Sequence, residues 1–306
     1  MNTIKINIAI CTWNRSALLE ETLLRLTHLI IPEQTDLKVI IINNNCTDNT
    51  EDIISSFKNR LPLISVFEKK PGLSNARNKA IEVADGDYII WTDDDVLVDP
   101  NWLASYRKCF IEHPDIDVFG GPVLPYYEKT PPNWLVNSIE VISDAFALRN
   151  LGSETIPLRA RSDDLPFGAN YAIKVQTQKL YHYSPELGRQ PGNLNLLGEE
   201  TLVINKILES GKRGLWVPDA IVNHRIPSER QTLKYISNYF IGKGESIGYI
   251  PNRDDKLLFG TPIWLLIKIV KLHAQLLVHR VFCNDQIWIE TLKKACLNYG
   301  FIKSIK

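Results

Sequence analysis

The 306 residues carry 35 basic and 35 acidic side chains, a formal net charge of zero, which predicts no nucleic-acid partner and no general affinity for polyanions. With 44% hydrophobic and 23% charged residues, the chain is neither disordered nor fibrous and is long enough for one large α/β domain with an appended region. Cys11, Cys46, Cys109, Cys283 and Cys296 are odd in number and contain no Cys-x-x-Cys pair, a usage that argues against a disulfide framework or cysteine zinc site and fits a reducing compartment.

In chain order, residues 6–10 form a short β-branched apolar run, the first expected strand. Residues 16–29 follow with Leu19, Leu23 and Leu26 at helical spacing. Strands are expected at 39–42, 63–67 and 88–92, alternating with helices at 48–57 and 73–84. Continuous apolar strands between helices imply a parallel sheet covered on both faces. Asp99 and Pro100 read as a helix start, with Leu103, Tyr106 and Phe110 on one face of the helix they open. Residues 122–166 are proline-rich, with Tyr126, Tyr127 and Trp134, and read as an irregular wall or lid. Regular structure resumes at 170–174 and in a helix at 199–210 stopped by Gly211. Two strands at 214–217 and 220–224 are expected to pair and close the domain, and residues beyond 226 read as helical. Residues 263–282 form an amphipathic stretch in which Lys268, Lys271, Gln275 and His279 line one side. Its charges forbid a spanning helix, which takes ~20 apolar residues, but suit either packing on the domain or lying in a membrane interface. With no leader pattern at the start of the sequence, a cytoplasmic location is expected, with peripheral contact at the inner face of the membrane if 263–282 meets lipid.

Three polar clusters fall at three strand ends, where ligands bind in open α/β sheets: Thr12-Trp13-Asn14-Arg15, Asn43-Asn44-Asn45 and Asp93-Asp94-Asp95. Three adjacent carboxylates repel one another unless a cation lies between them, and Mg2+ or Mn2+ would also bridge to diphosphate oxygens. In an extended segment, Asp93 and Asp95 point one way and Asp94 the other. Gly72-Leu73-Ser74 opens a helix whose amides suit a phosphate, with Arg77 nearby. Glu199 and Glu200 offer carboxylates for proton removal; the plainer reading is that they complement a helix dipole.

The segments "AICTWNRSALLEETLLRL", "VIIINNNCTDNT", "GLSNARNKAIEVADGDYIIWTDDD", "FGAN", "LGEET" and "VNH" occur in that order. Together they resemble family 2 glycosyltransferases over residues 4–226. The resemblance implies a GT-A type three-layer α/β/α sandwich with a mostly parallel central sheet and a C-terminal helical extension. Residues 1–226 would form the catalytic domain, with a nucleotide-binding half over 1–120 and an acceptor half over 121–226, and 227–306 the helical region. It further implies that Thr12, Asn14, Arg15, Asn43, Arg77, Asp93 and Asp94 hold a nucleotide-sugar donor, a UDP-sugar being favoured. Asp95 and His224 would hold Mn2+ or Mg2+, and Asn170 and Trp134 would meet a saccharide or lipid-linked acceptor. Where the family usually has Glu-Asp, this chain has Glu199-Glu200, so the base is Glu200 by position, or Glu199 if the longer side chain changes the geometry. Where the family often reads the uracil imide with Asp, this chain has Asn43. Inversion at the sugar carbon follows from the same resemblance. A non-catalytic sugar-nucleotide or carbohydrate-binding protein stands as the alternative, and a nucleotidyltransferase is disfavoured because the loop at residues 11–15 has no glycine.

Overall fold

The computed structural model describes residues 3–188, 198–248 and 256–305. These divide into two compact units, Met1–Tyr126 with Ala147–Arg225, and Tyr127–Phe146 with Ile226–Lys306.

The first unit begins with β1 (Ile4–Thr12), α1 (Ser16–Leu26), β2 (Thr35–Asn43), α2 (Thr50–Phe57), β3 (Leu63–Phe67), α3 (Leu73–Val83) and β4 (Tyr88–Asp93). β1, β2, β3 and β4 are parallel neighbours in the order β3-β2-β1-β4. Both faces of β1, β2 and β4 are covered over their central residues, which is why these read as apolar runs rather than alternations; the edge strand β3 leaves Ile64 and Phe67 exposed. Ala9, Ile40, Ile42, Ile89 and Trp91 belong to one core with Ala76, Ala80 and Ile81 of α3. The residues between them, Ile8, Ile10, Ile41 and Ile90, are buried on the other face. Right-handed crossovers account for this arrangement: α1 and α2 step the chain outward from β1 to β3, and α3 returns it across the sheet to β4, so it takes the opposite face. Buried Asn7 fixes the return, its Oδ1 accepting from the amides of Asp85 and Gly86 at 3.0 and 2.9 Å.

The chain continues through β5 (Val96–Val98), α4 (Trp102–Glu112), β6 (Val118–Gly120) and β7 (Val123–Tyr127). β8 (Pro157–Leu158), β9 (Tyr171–Lys174), α6 (Val175–Gln178), α7 (Glu199–Glu209), β10 (Gly214–Trp216) and β11 (Val222–Ile226) complete this part. Among the described residues, the main sheet has eight strands in the order β3-β2-β1-β4-β9-β6-β10-β8. β9 runs antiparallel to both β4 and β6, so the sheet is mixed at its centre. α4 packs through the expected residues Leu103, Tyr106 and Phe110, and adds Trp102 and Cys109; Phe110 stacks on Tyr88 with centroids 3.8 Å apart. The expected pairing of the strands near 214 and 220 does not occur. β11 instead joins β5 and β7 in a separate three-stranded sheet. It does so because the chain turns out of the main sheet after β10, and its partner is the short β5 that follows the aspartate cluster.

The second unit contains α5 (Asn133–Ser138), a short 3-10 turn at Ser143–Phe146, α8 (Leu233–Ile247), the two-residue strands β12 (Leu257–Leu258) and β13 (Thr261–Pro262), α9 (Ile263–Phe282) and α10 (Asp285–Ser304). The stretch read from sequence as an irregular wall thus divides: residues 127–146 group with the C-terminal helices and include a helix of their own. α8 and α10 meet at Gly244 and Gly300, where a Cβ would stand 2.3 Å from the Leu297 carbonyl and 2.2 Å from that of Ile241. Only glycine permits that approach. No helix among the described residues is long and apolar enough to cross a membrane.

Candidate active site

Strand register assembles the site. Thr12 ends β1 beside Asn43 at the end of β2, and Cys11 lies beside Asp93 at the end of β4. β5 pairs antiparallel with β11, Val96 opposite His224, which carries His224 across to Asp95. Four of the sequence segments therefore meet at one end of the sheet.

The aspartates divide differently from the alternation expected of an extended segment. β4 ends at Asp93, and Asp94 and Asp95 form a turn. Asp94 and Asp95 are both buried and both clamped by Arg15, whose NH1 lies 2.5 Å from Asp94 Oδ1 and whose NH2 reaches Asp95 Oδ2. Thr12 Oγ1 also donates to Asp94 at 2.8 Å. Asp93 stands apart, its side chain 34% exposed and 3.8 Å from Arg77. The turn is the physical reason: alternation requires extended backbone, and the strand stops one residue into the triplet.

Burial is the strongest influence on Asp94 and pushes its carboxyl up to about 7 against the pull of Arg15. Burial also acts on Asp95, yet His224 and Arg15 hold it well below the usual carboxylate range. Asp95 is thus the member that keeps its charge. His224 Nε2 is 3.5 Å from Asp95 Oδ1, and His224 Nδ1 is buried without a hydrogen-bond partner. A carboxylate oxygen facing an imidazole nitrogen is a donor pair that Mn2+ accepts, Mg2+ taking chiefly the oxygen. An imidazole whose second nitrogen is unsatisfied fits a residue held for a ligand rather than for packing. Asp95 and His224 thus offer one oxygen and one nitrogen of the kinds a divalent cation takes, and among the described residues no third His, Cys, Asp or Glu completes a cluster with them.

The acid pair lies across from Asp93, and Arg77 joins the two. Arg77 is 3% exposed, not solvated as an arginine early in a helix usually is. Its NH1 donates to Glu199 Oε1 at 2.6 Å and lies 3.8 Å from Glu200 Oε2. Burial works against its charge, but Tyr171, Glu199 and Glu200 hold its proton more firmly than usual. Tyr183 lies under the guanidinium at 5.4 Å, and the Tyr171 and Tyr183 hydroxyls bond to each other. Glu199 takes the close ion pair, which leaves Glu200 without a full countercharge. Burial, then the neighbouring Glu199, pushes Glu200 up to about 7, and the Gly168 amide donates to its Oε1 at 3.2 Å. Gly198 opens α7 in the left-handed region at φ 93°; Leu196 and Leu197, which precede it, lie outside the described residues. Burial pushes the Cys11 thiol up to about 12, which disfavours the thiolate a nucleophile would need.

Other expected residues have specific placements. Asn14, at φ 52°, accepts from the Thr47 amide at 2.7 Å and so ties the loop after β1 to the loop after β2. Asn43 donates to Glu51 at 3.1 Å and accepts from the Cys46 amide at 2.9 Å, so its amide is oriented by its own loop. Asn170 is wholly buried, and its amide is committed. Oδ1 accepts from Trp102 Nε1 and Tyr106 OH at 2.8 and 2.9 Å, and Nδ2 donates to the carbonyls of Pro122 and Ala220 at 2.9 and 2.7 Å. It pins the strand ends together instead of offering a hydrogen bond to an acceptor. Trp134 packs in the second unit against Trp288, centroids 6.4 Å apart, consistent with a packing anchor.

Two residues escaped the sequence reading. Asn44 donates to the carbonyls of Glu68 and Lys70 and accepts from the Gly72 amide at 3.0 Å, holding the entry to α3. Its signal was the triplet Asn43-Asn44-Asn45, in which only the first was singled out. At Gly168 a Cβ would lie 2.5 Å from Arg77 NH2, so a larger residue there would push the guanidinium from its present place; the "FGAN" segment was its signal.

Comparison with known proteins bears on the family and the fold. Residues 7–173 match the profile described as Glycosyl transferase family 2. The succinoglycan biosynthesis protein ExoM of Rhizobium meliloti (strain 1021) is 24% identical over 251 residues, covering 80% of this chain and 75% of that protein. Glucosyl-dolichyl phosphate glucuronosyltransferase of Haloferax volcanii is 23% identical over 236 residues, covering 72% and 69%. In fold, the chain is similar to the mannosyltransferase PcManGT from Pyrobaculum calidifontis, solved in complex with GDP-Man and Mn2+, with a TM-score of 0.59, 17% identity and coverage of 98% of this chain and 86% of that one. A GT-A architecture, a profile match over more than half the chain and motifs that meet at one sheet end lead to one conclusion: the chain belongs to glycosyl transferase family 2 and is a glycosyltransferase.

Proposed function

We propose that this protein transfers a sugar from a nucleoside diphosphate donor to a hydroxyl of a saccharide or lipid-linked saccharide, with inversion at the sugar carbon and with the help of Mn2+ or Mg2+. The observation that carries this reading is the buried Arg77, which links Asp93 on the donor side to Glu199 and Glu200. One cation thereby sets the distance between the group that holds the donor and the group that takes the acceptor proton, and positioning of this kind lowers the barrier of a two-substrate reaction.

In this reading Thr12, Asn14 and Asn43 border the nucleotide, Asp93 meets the sugar-nucleotide, and Asp95 and His224 hold the metal, with Asp94 kept in place by Thr12 and Arg15. The metal, when bound, supplies Lewis-acid stabilisation of the departing diphosphate. Glu199, paired with Arg77, keeps Glu200 from sharing that countercharge. Glu200 is then the base: its proton affinity lies near neutrality, where a carboxylate both exists in its charged form and pulls effectively on a hydroxyl proton. It removes the acceptor proton as the acceptor oxygen bonds to the sugar carbon and the bond to the diphosphate breaks. A UDP-sugar is the favoured donor.

Calorimetry of donor binding, paired with a turnover assay over an acceptor panel, tests the reading. Binding together with release of nucleoside diphosphate supports a transferase. Binding with no turnover against any acceptor would point to the non-catalytic sugar-nucleotide binder.

A further inference from the structure

A helix on a soluble domain turns its apolar stripe inward and covers the outside with charge. α9 does not. Its buried residues are Leu265 and Leu272, while a second apolar row faces outward: Ile263, Ile267, Val270, Leu277 and Val281, the last three 69%, 73% and 72% exposed. At about 100° per residue these five share one narrow face, opposite the buried pair. Lys271 flanks the row on one side and Arg280 on the other, Lys268 lies further round on the side of Lys271 beside the exposed Trp264, and α9 contains no acidic residue. Lys268 also lies over the ring of Trp264, 5.9 Å from its centroid, so that border pairs an aromatic with a cation.

The segment entering α9 repeats the chemistry. The β12–β13 hairpin turns through Phe259 and Gly260, with Leu257 and Leu258 half exposed and Phe259 97% exposed. Phe259 has φ 50°, a left-handed conformation that bulky residues rarely adopt. The hairpin thus accepts backbone strain with its bulkiest side chain outside the fold. Lys256 stands exposed at its base.

We propose that the β12–β13 tip and the outward row of α9 form a membrane-docking surface that seats among the headgroups of an anionic bilayer. The apolar row lies below the headgroups, and Lys268, Lys271 and Arg280 rest at phosphate level. Charge selects this partner over a second copy of the chain. A two-fold contact is self-complementary, so pairing α9 with itself would set its lysines and arginine near their own equivalents with no carboxylate on the helix to meet them. An anionic surface supplies that countercharge.

Co-sedimentation of the full chain with vesicles tests the proposal, using phosphatidylcholine alone and phosphatidylcholine containing phosphatidylglycerol. The wild type is expected to bind the anionic vesicles and to lose binding as salt rises. Lys268→Glu and Lys271→Glu should each weaken it about fivefold or more. Leu277→Glu with Val281→Glu, and separately Phe259→Ser, should abolish it, with thermal melting and donor binding unchanged because all three side chains are exposed. Failure of the wild type to bind anionic vesicles would overturn the proposal, as would equal binding by the Leu277→Glu/Val281→Glu variant. A concentration-dependent dimer in analytical ultracentrifugation that this variant abolishes would assign the face to a second copy instead.

Discussion

Replacing Glu200 by glutamine should do two opposite things at once. Glu200 has an ordinary value of 4.5 and is pushed up to about 7 by burial and then by Glu199. The folded state therefore binds the Glu200 proton more tightly than the unfolded state does. Between those two values the native form holds more protons, so this group's contribution to stability falls as pH rises. The penalty is absent below about pH 4.5 and complete above about 7. Each tenfold difference in proton affinity is worth about 1.4 kcal/mol, which makes the full penalty roughly 3 kcal/mol, and the side chain is only 12% exposed. Glu200→Gln keeps an oxygen for the Gly168 amide and removes the charge. At pH 8 it should melt higher by roughly 6–12 °C for a domain of this size, and at pH 4 it should melt with the wild type. Turnover at pH 8 should fall by about 10²–10⁴-fold, as for loss of a general base. Wild-type turnover should rise with pH to a plateau above about 7, being roughly tenfold lower at pH 6, and the residual activity of the variant should lack that dependence. Differential scanning fluorimetry and a diphosphate-release assay across pH 4–9 measure both. A variant that melts lower than wild type at pH 8, or that retains turnover within a few-fold, would refute the reasoning.

Further outcomes follow from the same geometry. Arg77→Met leaves Glu199 buried without its partner and should cost about 3–5 kcal/mol at neutral pH by chemical denaturation; Arg77→Lys, which keeps the charge but loses the fork, should recover only part of it. Asn170→Ala orphans Trp102 Nε1, Tyr106 OH and two carbonyls, and should destabilise the first unit by about 3 kcal/mol or more while leaving Asp95 and His224 untouched. Gly244→Ala forces a Cβ against the Leu297 carbonyl and should lower stability by about 1–3 kcal/mol, read as earlier loss of helical circular dichroism.

β1, β2 and β4 were legible because their central residues are buried on both faces, so each reads as an apolar run, and the polar residues that end each run mark the site; β3, at the sheet edge with Ile64 and Phe67 exposed, was legible from its β-branched and aromatic residues alone. α9 was legible to its boundaries, since its row of side chains repeats at helical spacing. What pairs with what was not. Arg77 reads from sequence as a donor contact near a helix start, and its ion pair with Glu199, 122 positions later, shows only in the fold. Asn170 reads as a ligand-facing amide until Trp102 and Tyr106 supply its partners from an earlier helix. The strand at 222–226 looks like the second arm of a hairpin, because sequence shows its proximity to β10 and hides its pairing with β5. The division of the aspartates turned on where a strand stops, a one-residue matter that propensity does not resolve.

In the proposed reaction, Asp95 and His224 hold a divalent cation on which the sugar donor's diphosphate depends. Release of nucleoside diphosphate from a panel of UDP- and GDP-sugars, measured with Mn2+ and with chelator for the wild type and for Asp95→Asn, puts this to the test. Release is expected from one donor class in the wild type with Mn2+, abolished by chelator and by Asp95→Asn. Metal-dependent release that persists unchanged in Asp95→Asn would contradict it.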